Sequence, residues 1–358
     1  MTTESPSAPG KSRGPRQRAE GPLLQVEDLT VDFPTEDGVV HAVRGVSYTL
    51  TGRGVLGIVG ESGSGKSVAS MAVMGLLPKS ARISGRVLLE GKDVLRMSAA
   101  EQRSIRNRKV GMIFQDPMTA LNPVYSVGDQ LAEAVRSHQA VPKRAALARA
   151  AEMLDLVGIP RPKERLGNYP HEFSGGMRQR VMIAMAIIND PDVIIADEPT
   201  TALDVTVQAQ ILETLVAVKD AVNAAIVLIT HDLGVVAGLA DHILVMYAGR
   251  AVELGGTREV FTQPRMPYTA GLLGSIPTLD SQGGRLRPIP GAPPSLINLP
   301  PGCPFSPRCP LVEDRCQQVE PPLAETDLRY HRAACLRWGV LADLPDPKTI
   351  FRATAVTE

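Results

Sequence analysis

At 358 residues the chain is long enough for one large domain with an appendage, or for two domains. Lys+Arg and Asp+Glu both number 38, so the chain is formally neutral and lacks the basic excess that a nucleic-acid partner would need. The longest apolar run near the middle, "VMIAMAII", has eight residues, whereas a membrane-spanning helix needs roughly 20, so no segment reads as a span.

The opening "MTTESPSAPGKSRGPRQRAEG" is rich in Pro, Gly, Ser and Arg and has no apolar run of the signal-peptide kind. Residues 1–22 are therefore expected to be a disordered, solvated tail, and the chain to reside in the cytoplasm. Residues 24–33 and 43–50 look like an antiparallel pair of strands. A strand at 55–59 leads into a glycine-rich loop, and 68–77 has helix-forming composition. Further short apolar strands are expected near 110–114, 193–196, 226–230 and 243–247, alternating with helices. That alternation predicts a mostly parallel sheet covered on both faces. "ILVMYAGRAVELG" reads as a closing hairpin with Ala-Gly at its turn.

The loop at 60–67, "GESGSGKS", fits G-x-x-x-x-G-K-[ST] between a strand and a helix, which is the context the motif requires. Gly60, Gly63 and Gly65 let the backbone wrap closely around phosphates and aim its N–H groups inward, with Ser62 and Ser64 in the same turn. The helix N-terminus adds positive potential. Lys66 is expected to bridge the β- and γ-phosphates and Ser67 to hold Mg²⁺. The bland alternative, a chance Gly-rich turn, does not account for the flanking strand and helix. In "PDVIIADEPTTALD" a buried-looking strand ends on Asp197 and Glu198. The first acid would orient Mg²⁺ and the second would polarise an attacking water. Alone, the pair would read as solvated acids at a strand end.

Between these lies "HEFSGGMRQRVMIAMAII", where a Ser-Gly-Gly turn opens a helix-like segment, a second anion-binding device in one chain. Here the sequence resembles the ATP-binding subunits of ABC transporters, whose signature is usually written L-S-G-G-Q. Phe173 and Met177 depart from that pattern, while Ser174, Gly175 and Gly176 keep it. The resemblance also makes Gln115 in "MIFQDP" the Q-loop glutamine, Asp204 in "TALD" the D-loop aspartate and His231 in "VLITHD" the switch histidine. Phe33 sits where the family places an adenine-stacking aromatic, although an aromatic in a strand is more often core. "FQDPMTALNPVYSVGDQLAE", "PYTAGLL" and "IPGAPPSLINLPPGCPFSPRCP" narrow the likeness to the dipeptide/oligopeptide/nickel importer ATPases.

The resemblance implies an α/β P-loop NTPase fold of the ABC type. It would have a parallel core sheet, an antiparallel β subdomain, an α-helical insert at 118–190, and a small cysteine-containing C-terminal extension. It places the nucleotide-binding domain at 23–265, a Pro-rich strap with a cysteine domain at 266–340, and a tail at 341–358. It implies that ATP with Mg²⁺ is bound at Gly60 to Ser67, that Ser174, Gly175, Gly176 and Asp204 serve the ATP of a second, paralogous ABC subunit, and that Gln115 and Ser67 help to hold Mg²⁺. Glu198 would activate water and His231 would contact the γ-phosphate. The implied partners are two transmembrane permease subunits and an extracytoplasmic substrate-binding protein, at the cytoplasmic face of the membrane. Peptide is the preferred cargo. Nickel or another small solute, or a soluble ABC ATPase outside transport, remain alternatives.

The four cysteines, Cys303, Cys309, Cys316 and Cys335, fall within 33 residues, and the 302 residues before them contain none. Buried free thiols, disulfides, zinc and a [4Fe–4S] cluster compete as readings. The spacing C-x5-C-x6-C-x18-C lacks the close pairs usual for zinc, and two cysteines precede proline, as in ferredoxin-like runs. A [4Fe–4S] cluster is the expectation, with Zn²⁺ the alternative and His331 a lesser candidate ligand.

Overall fold

Strands buried on both faces carry apolar residues at successive positions, and the central strands here do so. The computed structural model describes residues 21–201, 203–276 and 288–351; the leader, part of the strap (277–287) and the last residues (352–358) lie outside the described residues. The strands are β1 (Pro22–Thr35), β2 (Gly38–Thr51), β3 (Val55–Val59), β4 (Arg82–Leu89), β5 (Lys92–Asp93), β6 (Val110–Ile113), β7 (Val193–Asp197), β8 (Ala225–Thr230), β9 (His242–Tyr247), β10 (Arg250–Gly256), β11 (Ala324–Glu325) and β12 (Arg332–Ala333).

They form two sheets. The smaller has the order β2-β1-β4-β5 and is antiparallel. The larger has the order β11-β12-β10-β9-β3-β8-β7-β6, with β9, β3, β8, β7 and β6 parallel. Side chains alternate along β7 and β8 between two cores. Ile194, Ala196, Ile226 and Leu228 face the helical insert, and Val193, Ile195, Val227 and Ile229 face the antiparallel sheet. This two-sided burial is the physical reason for a parallel centre.

The insert is built from helices Val127–Arg136, Lys143–Leu156 and Gly175–Ile187 with shorter turns between them. Phe173, buried at its hinge, and Met177 pack into the insert's core, which accounts for apolar side chains at both ends of the Ser-Gly-Gly turn. The helix expected at 68–77 instead spans Lys66–Val73. It stops because Gly75 adopts a left-handed φ of 61°, and its N–H bonds back to the Ala72 carbonyl. The β9–β10 hairpin turns on Ala248 and Gly249, both at positive φ.

Beyond helix Pro267–Gly274 the chain forms a C-terminal module. Its strap, over the described residues 288–302, has neither helix nor strand. The module then adds β12 and β11 to the edge of the main sheet, with Arg332 and Ala333 beside Leu254 and Glu253 of β10. The β9–β10 pair is thereby covered at its open edge. An aromatic cluster of Tyr247, Tyr268, Phe305 and Phe351 seals the seam, with ring centroids 4.6 to 6.5 Å apart. Glu320 adds charge contacts to Arg44 of β2 (2.9 Å) and Arg250 of β10 (2.8 Å).

Candidate functional site

The phosphate loop follows β3, and Gln115, Glu198 and His231 follow β6, β7 and β8, so all four approach one another at the carboxyl ends of neighbouring parallel strands. Ligands of open α/β sheets bind at such strand ends. There the residues line a cavity of ≈ 690 Å³. Its walls include Phe33, Ser62 to Ser67, Gln115, Glu198 and His231, and also Val40, Ala42, Val68 and Leu296.

Gly65 caps the helix Lys66–Val73 at φ 97°, and a Cβ there would lie 2.3 Å from the Ala42 carbonyl oxygen. Only glycine lets the loop pass so close to β2. Lys66 is almost fully buried, and its Nζ donates to the carbonyls of Gly60 (2.8 Å) and Glu61 (3.0 Å). Burial lowers its pKa, while Glu198, Asp197 and Glu61 pull the other way. The Ser67 hydroxyl donates to Asp197 Oδ1 at 2.9 Å, joining the loop to the end of β7. Burial raises the Asp197 pKa and the Ser67 hydroxyl opposes it. Two oxygens so close, one anionic, are a suitable pair to flank a hard cation such as Mg²⁺.

Glu198 is held at a left-handed φ of 46° by its N–H donating to the Ile229 carbonyl (2.9 Å). Strain of this kind concentrates at functional sites. Its Oε2 accepts from Gln115 Nε2 (3.2 Å) and Thr201 Oγ1 (2.9 Å), and His231 Nδ1 lies 3.4 Å away. A carboxylate clamped this way is aimed into the cavity rather than solvated at a strand end. Thr201, Leu296 and Val40 were not singled out in the sequence. Thr201 sits in "DEPTT", three residues after the acid, and was the one with a local signal.

Ser174, Gly175, Gly176 and Asp204 do not line this cavity. Ser174 caps the helix Gly175–Ile187, accepting from Met177 N at 3.4 Å, and Asp204 caps the helix Val205–Val222, accepting from Val207 N at 3.0 Å. A Cβ on Gly176 would come 2.7 Å from Val207 Cγ1, so the two helix ends abut. Ala202, between them in sequence, lies outside the described residues.

The four cysteines line one small cavity of ≈ 20 Å³ beside Met266, Phe305 and Arg337. The Cys303 N–H donates to the Cys316 carbonyl (2.8 Å) and Arg337 N–H to Cys335 Sγ (3.3 Å). All four are free thiols. Burial pushes Cys309 and Cys335 up to about 12. Among the described residues, no group of three or more His, Cys, Asp or Glu side chains is arranged to hold a metal ion. The four thiols share one cavity and are of the right chemical kind for a metal ligand set, but among the described residues they are not arranged as one. His331 is not with them: fully buried, its Nε2 lies 2.7 Å from Glu253 Oε1, so the structure uses it as a core partner of β10.

The fold and the phosphate site define a nucleotide-binding protein of the ABC type. Residues 43–201 match the ABC transporter family model, and residues 252–316 match the model of the oligopeptide/dipeptide transporter C-terminal region. The chain belongs to the family of oligopeptide and dipeptide transport ATP-binding proteins. It is 56% identical to the dipeptide transport ATP-binding protein DppD of Bacillus subtilis, over 84% of this chain and 90% of that one. It is 52% identical to the oligopeptide transport ATP-binding protein OppD of Escherichia coli, over 87% and 91%. Against OppD of Mycobacterium tuberculosis identity is 56% over 94% of this chain, which spans only 56% of that relative's length. Among solved structures, cbiO1 of Clostridium perfringens, part of an ABC transporter complex, superposes with a TM-score of 0.58 at 29% identity, covering 71% of this chain and 96% of that one. The dimeric bacterial ABC transporter cassette MJ0796 superposes at 0.59 with 25% identity, covering 66% and 99%.

Proposed function

We propose that this chain is the ATP-hydrolysing motor subunit of a peptide importer. One observation carries the reading: the phosphate loop, Glu198, Gln115 and His231 open onto one cavity, with Asp197 joined to it through Ser67, in a chain whose C-terminal region matches peptide transporters. The backbone N–H groups of Gly63 to Ser67 and the Lys66 ammonium bind and orient the phosphates of ATP, and Phe33 faces its base. Ser67 and Gln115 would hold Mg²⁺, oriented by Asp197, and the ion would neutralise phosphate charge. Glu198, aimed by Thr201 and Gln115, takes the proton of an in-line attacking water, and His231 contacts the γ-phosphate.

Ser174, Gly175, Gly176 and Asp204 lie outside this chain's own cavity, which supports their completing the site of a second ABC subunit, here read as a paralogue. The helical insert would grip two permease subunits, and an extracytoplasmic binding protein would deliver peptide. That location at the cytoplasmic membrane face follows from partners, since among the described residues no helix is long and apolar enough to cross a membrane. Cys303, Cys309, Cys316 and Cys335 are read as thiolate ligands of a [4Fe–4S] cluster, with Zn²⁺ the alternative. Such a centre supplies four strong bonds that staple a proline-rich segment with little core of its own.

The deciding experiment uses the assembled complex. Glu198→Gln should bind MgATP yet lose roughly 10²- to 10⁴-fold in phosphate release. Unchanged hydrolysis would remove Glu198 from the chemistry and the reading with it.

A further inference from the structure

Arg308 of the C-terminal module reaches the phosphate loop. Arg308 is 8% exposed, and its guanidinium is satisfied on all sides. Nη1 donates to Glu61 Oε2 (2.7 Å) and to the Tyr247 hydroxyl (3.3 Å). Nη2 donates to Glu61 Oε1 (2.9 Å) and to the Ile289 carbonyl (3.5 Å), and Nε to the Pro290 carbonyl (2.9 Å). The rings of Tyr247 and Phe305 each lie 5.8 Å from its Cζ. A bidentate pair in this setting holds both partners in one geometry.

Glu61 is itself a residue of the phosphate loop. Its N–H donates to the Tyr268 hydroxyl (2.8 Å), and its carbonyl accepts from Lys66 Nζ (3.0 Å) and Ser64 N (3.2 Å). Any shift of Glu61 therefore moves the carbonyl that holds the phosphate-bridging lysine. Arg308, for its part, lies in a tight turn between two of the cysteines, its N–H bonding the Phe305 carbonyl (3.0 Å). Ser306 N–H bonds the Cys303 carbonyl (2.9 Å), and Cys309 N–H bonds the Ser306 carbonyl (3.3 Å).

We propose that Arg308 is a positioning residue of the nucleotide site. Acting through Glu61, it sets the phosphate loop and links the folded state of the cysteine module to ATP affinity. The plain alternative is a brace between module and core with no effect on nucleotide. Two features set the link apart from a brace: its acceptor is a phosphate-loop carboxylate, and the same residue's backbone holds Lys66. The proposal rests on the nucleotide-site reading above.

The test is a double-substitution cycle on the full chain, read by equilibrium binding of the fluorescent nucleotide MANT-ATP with Mg²⁺. Arg308→Gln and Glu61→Gln should each weaken binding about 10-fold, and the double variant no further than either. Losses that multiply to about 100-fold would mark two independent contributions and overturn the link, as would unchanged binding in both single variants. If Arg308→Gln does not fold, Glu61→Gln carries the test, because it leaves every side chain of the module in place. By reciprocity, MgATP should slow amide hydrogen exchange at residues 303–309 in the wild-type chain and not in Glu61→Gln. Equal slowing in both would also overturn it. A wild-type chain that bound no MANT-ATP would instead sink the nucleotide-site reading together with this proposal.

Discussion

Glu198 illustrates how a single residue is prepared for chemistry. Its backbone sits in the left-handed region, and three side chains from three separate segments converge on one oxygen. Thr201 is the best placed to aim it, since its hydroxyl comes from the same turn. Thr201→Val keeps the volume and removes the donor, so kcat for ATP hydrolysis should fall about 10-fold with KM for ATP little changed. Steady-state kinetics of the complex would check it, and a rise in KM alone would assign Thr201 to binding instead. The phosphate loop, Asp197 and Glu198 were legible because each lies in a contiguous motif at the end of a short apolar strand, whereas Gln115 and His231 came only with the family resemblance. Leu296 and Arg308 were not legible. Each reaches the site from the proline-rich tail, 229 and 241 residues after Ser67, and no spacing rule predicts that contact.

Elements were readable where burial imposes a period. β7 and β8 are apolar at successive positions because two different cores claim their two faces. β11 and β12 were missed: each is two residues long, and they exist only because β10 offers an unpaired edge. Glu320, which ties the module to β2 and β10, makes that attachment dependent on pH. Burial pushes its carboxyl up, but the hydrogen bonds from Arg250 and Arg44 outweigh this and leave its pKa below the ordinary 4.5. A depressed pKa stabilises the fold above that ordinary value, and the contribution is lost as pH falls through the folded value. Glu320→Gln should therefore be about 1 kcal/mol less stable than wild type at pH 7. The gap should narrow as the medium is acidified below the ordinary value of 4.5 and close once the pH passes the depressed folded value. Urea denaturation at both pH values would show it, and a gap that persisted in acid would mean that the pairs with Arg44 and Arg250 are not its source.

For the molecule as a whole, the cluster proposed for the four thiols of the tail makes a direct prediction. Anaerobic purification should yield about four iron and four sulfide per chain with absorption near 400 nm, all lost when the four cysteines become serine. Zinc in place of iron would select the alternative, and a metal-free chain would leave buried thiols. Binary pattern and glycine placement were enough to specify the parallel core, the phosphate loop and the acid pair. Those features arise from local turns and from burial with a short period, and both leave marks within a few residues. The join between the cysteine module and the nucleotide site left no such mark. It depends on Arg308 meeting Glu61 across 247 residues, on Phe305 seating between Tyr247 and Tyr268, and on two-residue strands finding a free sheet edge. Contacts of that kind are set by how separate segments pack, so they came into view only with the folded chain.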